Sequence, residues 1–275
     1  MTITMQEVET IQTVEAPTGR AGLATASLAI AKRTLKQFWR TPQLIVVGSL
    51  TSAMFLLIFR YVFGGAIGTG SVEYADWLIP ALLAGSGLFA SGTAGVAEDV
   101  ESGLYDRLRS LPIPRAATLI GRSIADTTLV GWGALTTLVL GFATGFRFHG
   151  GVPRALAALG LCILFGAAFS WLVIYMGLVA GSPQAAQGMS FMTFPFIFVS
   201  SAYVPVDSMP GWLQPIAEHQ PFTMMVGAVR SLTVGPEAEA LLGHSASWFV
   251  VRALLWSVAI AAFFALLATR RFARS

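Results

Sequence analysis

An all-α integral membrane protein is the fold class the sequence predicts, on three observations. Hydrophobic residues make up 55% of the chain and charged residues 11%, far from the balance of a soluble domain. Six apolar runs, near 42–63, 77–97, 123–146, 155–181, 185–204 and 248–269, reach the roughly 20 helical residues that cross a hydrocarbon core of about 30 Å. Cations gather in three connections: Lys32, Arg33, Lys36 and Arg40 before the first run, Arg107, Arg109, Arg115 and Arg122 after the second, and Arg270, Arg271 and Arg274 after the sixth. The positive-inside rule makes those three regions cytoplasmic, and six spans return the chain to the side on which it began. Arg60, Arg147, Arg154, Arg230 and Arg252 fall on the outward side.

Taken in order, residues 1–21 carry Glu7, Glu9 and Glu15 with Pro17 and Gly19 and contain no apolar run, so they read as a disordered cytosolic tail and neither a signal nor a transit peptide. Residues 22–275 form the transmembrane domain. Within 22–40, Leu23, Ala26, Ile30, Leu35, Phe38 and Trp39 alternate with the four cations, which predicts an amphipathic helix in the inner interface before Pro42 turns the chain into span one. The alternative is a continuation of span one with snorkelling lysines. Spans four and five are separated only by Ser182, Pro183 and Gln184. The last outward connection is punctuated by Pro205, Pro210, Pro215 and Pro221 yet stays apolar through Trp212, Leu213, Ile216, Phe222, Met224, Met225 and Val226. Over 205–235 this predicts an outer re-entrant helix pair, since a full span would bury Glu218, His219 and Arg230; a plain extracellular loop is the alternative.

Between spans two and three, Glu98 to Arg115 holds seven charged residues in eighteen. Val100, Leu104, Leu108 and Leu111 follow spacings of four, four and three, so one helix would carry them on one face. Glu98, Asp99 and Glu101 near its start and Arg107 and Arg109 near its end complement the helix dipole, and Pro112 and Pro114 stop it. A solvated loop with a helical turn fits the same spacing.

Several chemistries are excluded. No G-x-x-x-x-G-K-[ST] occurs and the only lysines are Lys32 and Lys36, so the chain does not hold ATP in a P-loop of its own. His149, His219 and His244 are scattered over outward loops without a cysteine partner, which leaves no metal site, and the single cysteine, Cys162, allows no intrachain disulfide. Ala84-Gly85-Ser86-Gly87 resembles a serine-protease elbow, but no span supplies a histidine base, so no catalytic residue is assigned. Small residues there, and in Gly141-x-x-x-Gly145 and Gly177-x-x-x-Gly181, suit helix packing. Asp126 lies four residues after Arg122 and is expected to pair with it. Phe191, Met192, Phe194, Phe196 and Phe198 surround Pro195 in span five, a soft wall that suits a path for a bulky amphiphile or equally a lipid-facing surface.

A basic interfacial helix, six spans, a charged inner loop and an outer re-entrant pair together resemble the type 2 ABC exporter permeases, most closely the daunorubicin-resistance-like drug-export subunits. The likeness runs from about Gly22 to Arg274. Its most telling piece is the family's E-x-x-x-G-x-x-x-x-L-x-x-x-P-x-x-R loop, matched here by Asp99, Gly103, Leu108, Pro112 and Arg115, with aspartate in place of the usual glutamate. A second piece is Pro210-Gly211-Trp212-Leu213 followed by His219-Gln220-Pro221 and Arg230. The resemblance implies a six-span permease domain whose loop 98–115 forms a coupling helix docked in a groove of a separate ATPase. Two ATPase subunits and a second permease, identical or related, complete the unit; ATP and Mg belong to the ATPase, with no cofactor on this chain. Val100, Leu104 and Leu108 would supply the buried face of the joint and Glu101, Arg107 and Arg109 its polar rim. The expected activity is export of a drug-like or lipid-like amphiphile from a multi-pass protein of the inner (plasma) membrane with both termini cytoplasmic, with membrane lipid around it and no nucleic-acid partner. An ion-coupled secondary transporter is the competing reading; it calls for broken spans in matching halves and midplane carboxylates.

Overall fold

The computed structural model describes residues 22–68, 72–89 and 92–274, and the tail expected over 1–21 lies outside them. Among the described residues the fold is all helix, with no strand. The helices are α1 (Leu23–Arg40), α2 (Pro42–Leu57, continued by a π-helical turn Ile58–Phe63), α3 (Tyr74–Phe89), α4 (Gly92–Glu101), α5 (Leu104–Arg109), α6 (Arg115–Ala143) and α7 (Gly151–Ala180). They continue as α8 (Pro183–Ser190), α9 (Thr193–Phe198), α10 (Gln214–His219), α11 (Pro221–Thr233), α12 (Pro236–Leu242) and α13 (Ala246–Arg274). Four stretches, Val46–Phe63, Arg115–Ala143, Gly151–Ala180 and Ala246–Ala273, are long and apolar enough to cross a membrane.

Of the other two runs read as spans, 77–97 is described in two parts, α3 up to Phe89 and α4 from Gly92. The run 185–204 is split into α8 and α9, and the expectation of one helix there is corrected. Pro195 is the physical reason: it has no N–H to offer the Phe191 carbonyl and its ring crowds that position. The chain instead turns through Phe191 and Met192, with the Phe194 amide donating to the Phe191 carbonyl at 3.1 Å, and restarts at Thr193.

Helix α7 is the hub, in contact with α3, α4, α6, α8, α11 and α13. The main core fills the space between α3, α6, α7, α11 and α13, with Trp77, Leu78, Ile79, Phe146, Phe165, Met225 and Phe249 at its centre. The Ser123 and Ser170 hydroxyls, 2.7 Å apart, join α6 to α7. Helix α11, expected to lie in the outer leaflet, is buried almost all round by α3, α7 and α13. Helix α2, by contrast, leaves Val46, Val47, Leu50, Met54, Tyr61 and Val62 uncovered.

Helix α1 packs lengthwise on the first half of α6 through Ala26, Ser27, Ile30, Ala31 and Thr34. Gly121 permits the approach: a Cβ there would lie 2.6 Å from the Ser27 carbonyl oxygen and 2.8 Å from the Ile30 Cβ. Two ends of the bundle can then be told apart, one marked by Arg122 and the other by Arg230.

Candidate functional site

The segment 98–115 leaves the Arg122 end of the bundle as two helices, not the one its spacing predicts. Helix α4 stops at Glu101, where the Ser102 amide closes on the Glu98 carbonyl at 2.9 Å and Gly103 turns left-handed with φ +68°. Any residue with a Cβ resists that conformation, so the helical register of Val100 and Leu104 is broken at a glycine. Helix α5 then runs from Leu104 to Arg109, and Pro114 caps the start of α6 with Arg115 as its first residue.

The break changes which way the apolar residues point. Val100 and Leu108 are half-buried against the chain's own cluster of Val96, Tyr105, Leu119, Ile174, Leu178, Ala268 and Phe272. Tyr105 meets the Phe272 ring edge-on with centroids 5.4 Å apart, which fastens α5 to the last turns of α13. Leu104 is half-buried, as is Gly103. Glu98, Glu101, Arg107, Leu111, Pro112 and Arg115 remain exposed, while the Arg109 side chain lies outside the described residues.

Beneath this surface sits a buried charge cluster. Arg122 of α6, 4% exposed, directs Nη1 to Asp99 Oδ2 at 3.1 Å and Nε to Asp126 Oδ1 at 3.1 Å and Oδ2 at 3.2 Å. Asp99 of α4 is 8% exposed and Asp126 3%. On its other oxygen Asp99 meets Arg33 of α1 at 3.8 Å. Two carboxylates and two guanidinium groups thus balance in charge and tie α1, α4 and α6 together. Gly95, one turn before Asp99, leaves room for them, since a Cβ there would come within 2.9 Å of Arg122 Nη2. Burial pushes the Asp99 carboxyl above the usual carboxylate range, and Arg122 and then Arg33 pull it back. Burial likewise raises the Tyr105 hydroxyl.

The spacing of four between Arg122 and Asp126 announces their pair, and the pair is formed. The links from Asp99 to Arg122 and Arg33 join residues far apart in sequence. Their only sequence signal is Gly95 preceding an acidic residue by one helical turn.

The opposite end of the bundle is held by Arg230, which is 0% exposed. Its Nε and Nη2 donate to the Trp77 carbonyl at 3.2 and 2.8 Å, and Nη2 also reaches the carbonyls of Ser201 at 3.1 Å and Ala202 at 3.3 Å. The guanidinium stacks 3.5 Å over the Trp77 ring. The Gln220 amide donates to the Val199 carbonyl beside it. One side chain therefore joins α11 to α3 and to the turn after α9. The expectation that a buried Arg230 would be too costly is corrected here: backbone dipoles at Nε and Nη2 and an aromatic face replace most of its water, while Nη1 is buried without a hydrogen-bond partner.

The residues proposed from sequence as a path divide into two sets. Phe191, Phe194 and Phe198 stack in file with centroids 5.6 and 6.3 Å apart, and Phe198 continues to Tyr203 at 5.4 Å and Tyr203 to Phe59 at 4.2 Å. Met192 and Phe196 lie outside this file, and both are exposed, as are Phe191 and Phe198 within it. The file connects α9 to the uncovered helix α2. Ser86 gives its hydroxyl to the Leu83 carbonyl of its own helix at 2.7 Å, which removes the resemblance to a nucleophile.

Residues 25–234 match the family model described as ABC-2 type transporter. The chain belongs to the ABC-2 type transporter family. It is 31% identical to the daunorubicin resistance ABC transporter permease protein of Streptomyces coeruleorubidus, over 91% of this chain and 87% of that one. It is 30% identical to the probable doxorubicin resistance ABC transporter permease protein of Mycobacterium tuberculosis, over 88% and 90%. A doxorubicin resistance ABC transporter permease protein of the same organism is 27% identical, over 80% and 76%. This ABC-2 chain is accordingly a multi-pass transport subunit of the permease kind, and the resemblance to that family is confirmed.

Proposed function

We propose that the chain is the membrane half of an ATP-driven exporter that carries a drug-like or lipid-like amphiphile outward across the inner membrane, powered by two copies of a separate ATPase and completed by a second permease. The observation that carries this reading is the construction of 98–115: an exposed polar outer face, with an inner face fastened through Asp99 and Tyr105 to α1, α6 and α13. A push on the outer face is delivered to three helices at once, because none of these contacts is a flexible loop.

The docking surface in this reading is Glu101, Arg107, Pro112 and Arg115, with Leu104 and Leu111 beside them. Val100 and Leu108 act one layer below, holding α4 and α5 to the bundle, and the earlier assignment of both to the partner is revised. Asp99 and Gly103 shape the joint without touching the ATPase: one anchors it and the other makes its turn. α3 with α4 and α8 with α9 each make one of six spans, α1 lies at the inner interface, α10 to α12 form the outer re-entrant segment, and both termini are cytoplasmic. Phe191, Phe194 and Phe198 line the cargo path against α2, with Met192 and Phe196 at its margin. The names of the drug-resistance relatives support the class of cargo.

Co-purification of the ATPase with Glu101→Lys plus Arg107→Glu tests the joint. Association drops at least tenfold while the chain keeps its unfolding midpoint; association at the original level would remove 98–115 as the docking element.

A further inference from the structure

Helices α1 and α6 diverge beyond their tight contact and leave an open groove of about 160 Å³, lined by Leu35, Phe38 and Trp39 of α1 and by Thr128, Leu129, Gly131, Trp132 and Leu135 of α6. The lining is almost wholly apolar. Trp39 and Trp132 stand edge-on across it with ring centroids 6.1 Å apart. Both rings are exposed.

The surface of α1 around this groove is ordered. At 100° per residue, the strip buried on α6 (Ala26, Ser27, Ile30, Ala31, Thr34) is followed by the strip that lines the groove, and next by Lys32 and Lys36, four residues apart. Both cations are exposed. Helix α1 contains no acidic residue, and among the described residues no carboxylate pairs with these two. Arg33, which does reach Asp99, and Arg40, seven residues on along the same face, point away from the groove-lining strip.

An apolar slot with a tryptophan rim and cations along one edge has the chemistry of one amphiphile: an alkyl chain joined to an anionic head. A cationic amphiphile is repelled by the same edge, and a zwitterion gains little from it. We propose that the groove between α1 and α6 is a binding site for an acidic phospholipid of the cytosolic leaflet, its acyl chain between Leu35, Trp39, Leu129 and Trp132 and its phosphate on Lys32 and Lys36. The leaflet rests on the orientation given under the proposed function; the headgroup preference does not.

Native mass spectrometry of the full-length chain in detergent with equimolar phosphatidylglycerol and phosphatidylcholine tests it without any ATPase, so that failure of the exporter reading leaves the result untouched. Phosphatidylglycerol is retained at least fivefold over phosphatidylcholine. Lys32→Glu with Lys36→Glu abolishes the preference. Gly131→Leu places its side chain in the groove, where a Cβ meets nothing within 4 Å, and displaces the lipid with the cations intact. Should the double reversal fail to fold, Gly131→Leu alone decides. Equal retention of the two lipids, a preference that survives charge reversal, or unchanged phosphatidylglycerol in the Gly131→Leu chain overturns the site.

Discussion

Replacing Arg122 with methionine keeps the unbranched apolar stem and removes the guanidinium that answers both Asp99 and Asp126. Two carboxylates under a tenth exposed then lose contacts of 3.1–3.2 Å, and Asp99 keeps only Arg33 at 3.8 Å. Breaking a buried pair by deleting one partner costs about 3–5 kcal/mol, because the desolvated charge left behind has nothing to offset it. Two controls grade the effect. Asp126→Asn leaves Arg122 paired with Asp99 and keeps an acceptor oxygen, and should cost about 1–3 kcal/mol. Arg33→Met removes a long contact from a side chain 44% exposed, and should cost less than about 1 kcal/mol. The assay is the unfolding free energy of each variant in detergent by denaturant titration, with Asp99/Arg122 as a double-mutant cycle. Arg122→Met within about 0.5 kcal/mol of the natural chain, the usual range of inconsequential surface changes, would refute the reasoning, as would Arg33→Met costing as much as Arg122→Met.

Gly121→Leu drives its side chain into Ser27 and Ile30, costs about 1–3 kcal/mol and lifts α1 from α6; trypsin should then cut at Lys32, Lys36 and Arg40 faster than in the natural chain, and an unchanged rate contradicts the contact. Arg230→Lys keeps the charge but lacks the planar fork that serves the Trp77, Ser201 and Ala202 carbonyls together, so the unfolding midpoint falls despite the conservative change. A midpoint equal to that of the natural chain shows that one donor suffices. Phe194→Ala with Phe198→Ala interrupts the aromatic file and lowers transport in proteoliposomes with ATPase association unchanged; transport at the original rate makes the file a lipid-facing wall.

The long apolar runs announced four of the spans, because a helix of about 20 apolar residues has few alternatives in a bilayer. Pro195 was visible as a kink, but its division of 185–204 into two helices was not, since a proline states where a helix weakens and not whether its neighbours restore it. The loop 98–115 shows the same boundary. Its charge and its prolines located it, whereas a perfect spacing of Val100, Leu104 and Leu108 misled, because periodicity counts residues and takes no account of a glycine free to turn left-handed. Long-range partners were the least legible. Asp126 named Arg122 by proximity along one helix, but nothing in the chain near Asp99 names Arg122 or Arg33, and Arg230 was read as unfit for burial until three carbonyls and the Trp77 face were brought to it by tertiary packing.

Transport by the chain reconstituted with its ATPase in sealed vesicles tests the central claim most directly. Uptake of an amphiphilic fluorophore into inverted vesicles should require ATP, survive a protonophore, and vanish when Glu101→Lys and Arg107→Glu remove the docking surface. Uptake driven by a proton gradient in vesicles that contain this chain alone, with no ATP, would contradict the account and make the chain an ion-coupled carrier.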